Sequence, residues 1–157
     1  MRKLLLVAIL SMSLMTLIVA GCDNNPTSIV ILNDDGNASD LLSQEVLYVS
    51  VTKISVSYTN VSDEVLLYGE SRFLQKFAEQ EGFWIDIEPP DNAPGWVDVG
   101  YLLNPQESFE QTYHLLKYFG ELEPGTYRIF TEVSVDGAAS FIAPEDNEQI
   151  FTYFELR

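Results

Sequence analysis

Beyond residue 45, apolar and polar positions alternate with a period of two, the pattern of strands that turn one face to a core. In "VLYVSVTKISVSYT", residues 46–59, Val49 and Val51 and then Ile54, Val56 and Tyr58 alternate with serine and threonine. The change of phase between Val51 and Ile54 predicts a bulge, or a bend where one strand passes between sheets. Asn60 to Glu64 reads as a turn and Val65 to Tyr68 as a second strand, broken at Gly69. Arg72 to Phe77 and Phe83 to Glu88 form a hairpin around "AEQEG", with Phe83, Ile85 and Ile87 on one face. The prolines of "EPPDNAPG" preclude ladder pairing and make a stiff loop before the strand Trp96 to Leu103.

Asn104 to Glu107 turns the chain into a strand that lines Phe109, Tyr113 and Leu115 on one face, with Gln111 the exception, and "HLLKYFG" is long enough for one helical turn. Pro124-Gly125 is a turn, after which Tyr127, Ile129, Thr131, Val133 and Val135 alternate cleanly. Asp136-Gly137 turns again, an irregular loop follows, and Ile150 to Leu156 is the last strand. Seven or eight short strands with no sustained 3.6 period predict an all-β fold, an antiparallel β-sandwich, over residues 46–157.

The first 45 residues have another texture. Arg2 and Lys3 precede an apolar run from Leu4 to Ala20 that ends in Val19-Ala20-Gly21-Cys22. A basic start, an apolar stretch shorter than the roughly 20 residues that span a bilayer, and small residues before a cut are the parts of a secretory signal. Cys22 is the only cysteine, and it stands directly after Ala20-Gly21. That arrangement resembles the lipobox of bacterial lipoproteins, which implies cleavage between Gly21 and Cys22 and a lipid anchor on the Cys22 sulfur. Residues 1–21 are then the signal peptide, and 22–45 a lipidated cysteine with a flexible tether rich in Asn, Asp, Ser and Gly. Within that tether the apolar island Ile29 to Leu32 is either a loosely attached first strand or a sticky spot in the linker.

Charge narrows the partners. Eight basic against 24 acidic side chains give a net −16, and loss of Arg2 and Lys3 with the signal leaves six against 24, or −18. Such a field disfavours nucleic acid and anionic lipid surfaces, so an electrostatic partner would be cationic. All 19 aromatic residues lie beyond Cys22, which supplies the apolar payload of a folded domain rather than a disordered tail.

Candidate chemistry is sparse. Ser50-Val51-Thr52-Lys53 matches a serine-lysine motif, but residues three apart in a strand face opposite ways. Tyr113 and Lys117 have a spacing known from dehydrogenases without the glycine-rich loop that would bring a dinucleotide. His114 is the only histidine, so neither a histidine metal cluster nor a motif-supported triad is expected. The acidic loops "NDDGN", "EPPDNAP" and "PEDNE" could in principle cage calcium, yet Asn33-Asp34-Asp35-Gly36 lacks the first acid and the closing glutamate of an EF-hand. Neither a cofactor nor a metal is expected. Trp84 and Trp96 are possible ligand-binding residues, as stacking platforms for sugar rings, against the alternative that Trp84 plugs the sandwich and Trp96 packs its loop on an edge.

The segments "ISVSYTNVSDEVLLYG", "FLQKF…FWIDIEPP", "GYLLNPQESFEQTYHL", "YFGELEPGTYRIF" and "FTYFELR" together resemble a bacterial immunoglobulin-like domain found in lipoproteins of Gram-positive bacteria. The most specific part is the ordered set Asn60, Tyr68-Gly69, Trp84 and Leu122-x-Pro124-Gly125-x-Tyr127-Arg128. Gln75, where an acid is common, and the acidic insertion "APEDNE" depart from it. The resemblance implies an immunoglobulin-like sandwich and no established activity. In that frame Leu122, Pro124, Gly125 and Tyr127 resemble a tyrosine corner: the ring packs inward, the hydroxyl bonds a nearby backbone group, and Arg128 points to solvent on the opposite side. The expectation is a lipid-anchored, extracytoplasmic, non-enzymatic binding or accessory module on the membrane, with a protein or envelope partner and no nucleic acid. The alternative is an envelope lipoprotein that recognises a glycan or a divalent cation.

Overall fold

A computed structural model describes residues 26–32, 39–70, 72–95, 99–135 and 147–157. Among the described residues, ten strands and one short helix follow in chain order: β1 Ile29–Leu32, β2 Leu42–Ser50, β3 Lys53–Asn60, β4 Leu66–Gly69, β5 Phe73–Ala78, β6 Phe83–Asp86, β7 Gly100–Leu103, β8 Ser108–Tyr113, α1 Leu115–Phe119, β9 Gly125–Val135 and β10 Glu148–Leu156. Every strand pair is antiparallel. Seven strands form one sheet, in which β9 is the spine: β10 and then β1 lie on one side, and β4 with β7 and β5 with β6 share the other. The second sheet has the order β2-β3-β8.

The inward positions of the two sheets close one core. Tyr127, Ile129, Val133, Ile150, Phe154 and Leu156 come from the large sheet, Ile54, Val56, Tyr58 and Tyr113 from the small one, and Leu115 of α1 plugs an end. A period of two puts each set on one face, and burial of such side chains stabilises by about 1.5–3 kcal/mol apiece. Tyr58 and Tyr113, both wholly buried, satisfy each other by a 3.2 Å hydroxyl contact across the pair β3/β8.

Two expectations need correction. Residues 46–59 are not one bent strand: β2 and β3 form a hairpin whose two-residue turn is Val51-Thr52, with Ser50 opposite Lys53. The shift of phase is that turn. Neither turn residue is a glycine, asparagine or aspartate, so the sequence carries no turn signal there. A register irregularity does occur in the hairpin, between Val46 and Tyr48.

The ordered domain also begins before residue 46. β1 pairs along its whole length with β10, from Ile29 opposite Leu156 to Leu32 opposite Tyr153, and Leu42 of β2 is in the core. The island in the tether is an edge strand because Ile29 and Ile31 pack against the core beside Leu156 and Phe154.

The outer faces of the two sheets differ. The small sheet is hydroxylic, with Ser55 paired to Thr112 at 2.9 Å and Thr59 to Ser108 at 2.8 Å. The large sheet is aromatic, because β9 and β10 carry Phe130, Phe151 and Tyr153 at their outward positions and β5 and β6 add Phe73, Phe77 and Trp84.

Candidate functional site

The turn before β9 is built around Tyr127. Its ring is buried and stacks on Phe154 of β10, with centroids 5.5 Å apart, and its hydroxyl donates to the Glu123 carbonyl at 2.7 Å. Pro124 and Gly125 carry the chain between those two residues. Gly125 has φ 150°, and a Cβ there would lie 2.9 Å from Cε of Lys76, so backbone and space both favour glycine. Leu122 packs against the core and fixes the other side of the turn. The Lys76 ammonium meets Glu123 at 3.2 Å and stands 5.5 Å from the Tyr127 ring centroid. Burial pulls the Lys76 pKa down, but the hydrogen bonds and charges of Glu123 and Tyr127 outweigh it and hold it above its ordinary value. Burial raises the Tyr127 pKa. The phenol therefore stays neutral, and its single proton is committed to a backbone carbonyl.

Arg128 lies on the opposite face, as β-alternation requires, but it is covered rather than solvent-facing. Its guanidinium sits 4.0 Å from the Phe151 ring centroid and 4.5 Å from that of Trp84, and Nε donates to Oε1 of Gln75 at 2.6 Å. Trp84 lies on the outer face of the large sheet, not between the sheets, and tilts against Phe77 and Tyr153 at 5.2 and 5.6 Å. The ring does not plug the sandwich, and Arg128 stands over one of its faces. Trp96, Gly21 and Cys22 lie outside the described residues.

The hairpin β5–β6 turns through residues 79–82. Phe83 and Ile85, on the side that would otherwise meet the core, are 54% and 45% exposed. Lys76, Glu79, Glu81, Ile85, Ile87 and Pro124 line an open cleft of about 440 Å³ between this hairpin and the Tyr127 turn. The cleft has an apolar floor and an acidic rim, with its one ammonium already paired to Glu123.

Other candidates do not assemble. Ser50 and Lys53 flank the β2–β3 turn, and the Ser50 hydroxyl is spent on the Lys53 carbonyl at 3.3 Å and on Thr52. Tyr113 is buried against Tyr58 on β8 while Lys117 rides on α1 beside Tyr118. No group of three or more metal-ligating side chains occurs among the described residues, and the loops "NDDGN" and "PEDNE" fall largely outside them.

Asn60 shows what a pattern of polar and apolar positions could not give. Its wholly buried side chain donates to the carbonyls of Glu64 at 2.8 Å and Leu103 at 3.0 Å, and accepts from the Ser62 N–H and hydroxyl at 2.9 and 2.7 Å. One amide thus ties the β3–β4 connection to the end of β7. The aromatic outer face was legible in part: "YRIF" and "IFTYF" place large rings on both phases of the alternation, which a strand with one solvent face does not do.

No curated protein matches the chain. Residues 37–145 match the profile of the bacterial Ig-like domain, and β1 and β10 flank the matched segment. Two antiparallel sheets around one core, a tyrosine bonded back across the turn before β9, and that match agree, and the chain belongs to the bacterial Ig-like domain family.

Proposed function

We propose that the protein is an extracytoplasmic, lipid-anchored, non-enzymatic module that binds a protein or other envelope partner through its Ig-like domain. The observation that carries this reading is where β1 joins the fold. Thr27 and Ser28 donate to the Arg157 carbonyl at 2.8 and 3.1 Å, and Arg157 donates back to Ser28 at 3.0 Å, so the start of β1 and the end of β10 meet at one end of the sandwich. Cys22 precedes Ser28 by six residues, a leash of at most about 22 Å when fully extended. Two or more acyl chains on Cys22 anchor stably where one binds only marginally.

A leash this short implies an orientation. Gly125 lies opposite Leu156, and Tyr127 opposite Lys76, so the Tyr127 turn and the β5–β6 turn share the anchored end. Pro26 lines one shallow cleft with Val51, Leu116 and Leu122, which puts α1 there too. The Asn60 and Glu107 end then points away from the bilayer, and the net −18 holds the domain off anionic headgroups. Exposed Phe83 and Ile85 on an edge strand support recognition of a partner along a sheet edge.

Cys22→Ala in the cell of origin tests the reading. The expected result is a chain released from the membrane fraction or left as an unprocessed precursor. Unchanged processing and retention would refute it.

A further inference from the structure

The β6 strand joins an unpaired backbone to an exposed apolar strip and a one-sided charge. Among the described residues, β6 pairs only with β5. The Ile87 N–H donates to the Leu74 carbonyl at 2.9 Å, so the period of two sends the N–H and C=O groups of Ile85 and Phe83 toward β5 as well. Those of Trp84 and Asp86 point to the open edge. Edge strands are commonly guarded by lysine, proline or a bulge, and β2 carries such an irregularity between Val46 and Tyr48. The β6 edge has none within Phe83–Asp86. Instead residues 79–91 hold Glu79, Glu81, Asp86, Glu88 and Asp91 and no lysine or arginine.

We infer that the β6 edge is a docking site for an extended, cationic, amphipathic segment of an envelope protein, which adds to the large sheet as an antiparallel or parallel strand. The inference rests on the binding-module reading above and names its surface and the chemistry of its partner. Ladder hydrogen bonds to Trp84 and Asp86 would give the affinity, and alternate side chains the selectivity. One set of side chains meets Phe83 and Ile85 above the cleft that Glu79 and Glu81 rim, and the other lies beside Trp84 and Asp86 on the aromatic face. A second copy of this chain is the wrong occupant, because pairing β6 with β6 sets these carboxylates against their like. A basic segment removes that repulsion.

The test uses the mature, lipidated full chain in detergent micelles and a fluorescent peptide alternating lysine and valine, read by anisotropy. Expected is saturable binding that weakens by about tenfold or more when alternate peptide amides are N-methylated, and similarly in the triple variant Glu79→Gln, Glu81→Gln, Asp86→Asn. A peptide alternating glutamate and valine is expected not to bind. The N-methylated peptide leaves the protein untouched, so a folding defect cannot imitate its effect. Equal binding of the methylated and parent peptides, or of the variant and the native chain, overturns the inference. So does a dimer of the chain that the peptide dissociates, which would make a second copy the occupant. If the peptide fails while Cys22→Ala still frees the chain from membranes, this inference falls and the anchored module stands; the reverse pattern separates the two the other way.

Discussion

The Tyr127 hydroxyl donates a 2.7 Å hydrogen bond to the carbonyl oxygen of Glu123, four residues upstream across the Pro124-Gly125 turn. Because the ring is buried on Phe154, the bond cannot be exchanged for water without moving the turn. Tyr127→Phe keeps the ring and removes the bond, and is expected to cost about 1–2 kcal/mol in chemical denaturation. Native stability in that variant would show the hydroxyl idle.

Gly125→Ala is expected to destabilise by roughly 1 kcal/mol or more, since a side chain at φ 150° is strained and its Cβ would press on the Lys76 stem. The stem can move, but the backbone angle remains unfavourable. A melting temperature equal to that of the native chain would contradict the account of this turn.

Asn60→Ala removes four hydrogen bonds made by a wholly buried side chain and takes their donor from the Leu103 and Glu64 carbonyls. The expected loss is on the order of 2–4 kcal/mol, measured by urea denaturation. Asn60→Asp is expected to be worse at neutral pH, because an ionised oxygen would replace an amine that now points at two carbonyl oxygens.

Buried tyrosines set the alkaline limit of stability. Burial pushes Tyr58 up to about 12, against the opposing hydrogen bonds from Tyr113 and Thr152, and drives Tyr113 well above its ordinary value. Each holds its proton more tightly folded than unfolded. Their contribution is therefore fully present below the ordinary tyrosine pKa of 10.0 and is lost as pH climbs from there toward 12. The slope is about 1.4 kcal/mol per pH unit for each such group. Tyr58→Phe should make the fall between these limits shallower, and an unchanged slope would count against the coupling.

Arg128→Ala should uncover Trp84. With Trp96→Phe in the background, the emission of Trp84 is expected to move to longer wavelength and stability to drop by about 1 kcal/mol, as a half-buried cation–π contact is lost. Arg128→Lys should recover only part of this, because a lysine cannot stack flat between two rings while bonding Gln75.

Much of the fold is written as alternation. Tyr127 to Val135 and Ile150 to Leu156 announce strands because each needs one buried face, and Gly82, Pro124 and Gly125 announce where the chain reverses. What escapes is set by contacts distant in sequence. Val51-Thr52 turns the chain because β2 and β3 both have to face the same core, and tertiary packing there overrides two residues that favour strands. Ile29 to Leu32 reads as an island until Leu156, more than a hundred residues later, supplies its partner. The site was less legible than the fold. Tyr127 could be located from its turn, whereas the edge of β6, which pairs only with β5 among the described residues, shows only in the topology, and Arg128 looks solvent-facing until the rings of Phe151 and Trp84 are brought around it.

The measurement that bears most directly on the proposal of an Ig-like module held at the membrane is the intact mass of the chain purified from the membranes of its own cell. The account predicts a polypeptide that begins at Cys22 and carries two or more acyl chains on that residue. A chain that retains residues 1–21, or one with a free Cys22 thiol and no lipid, would contradict it.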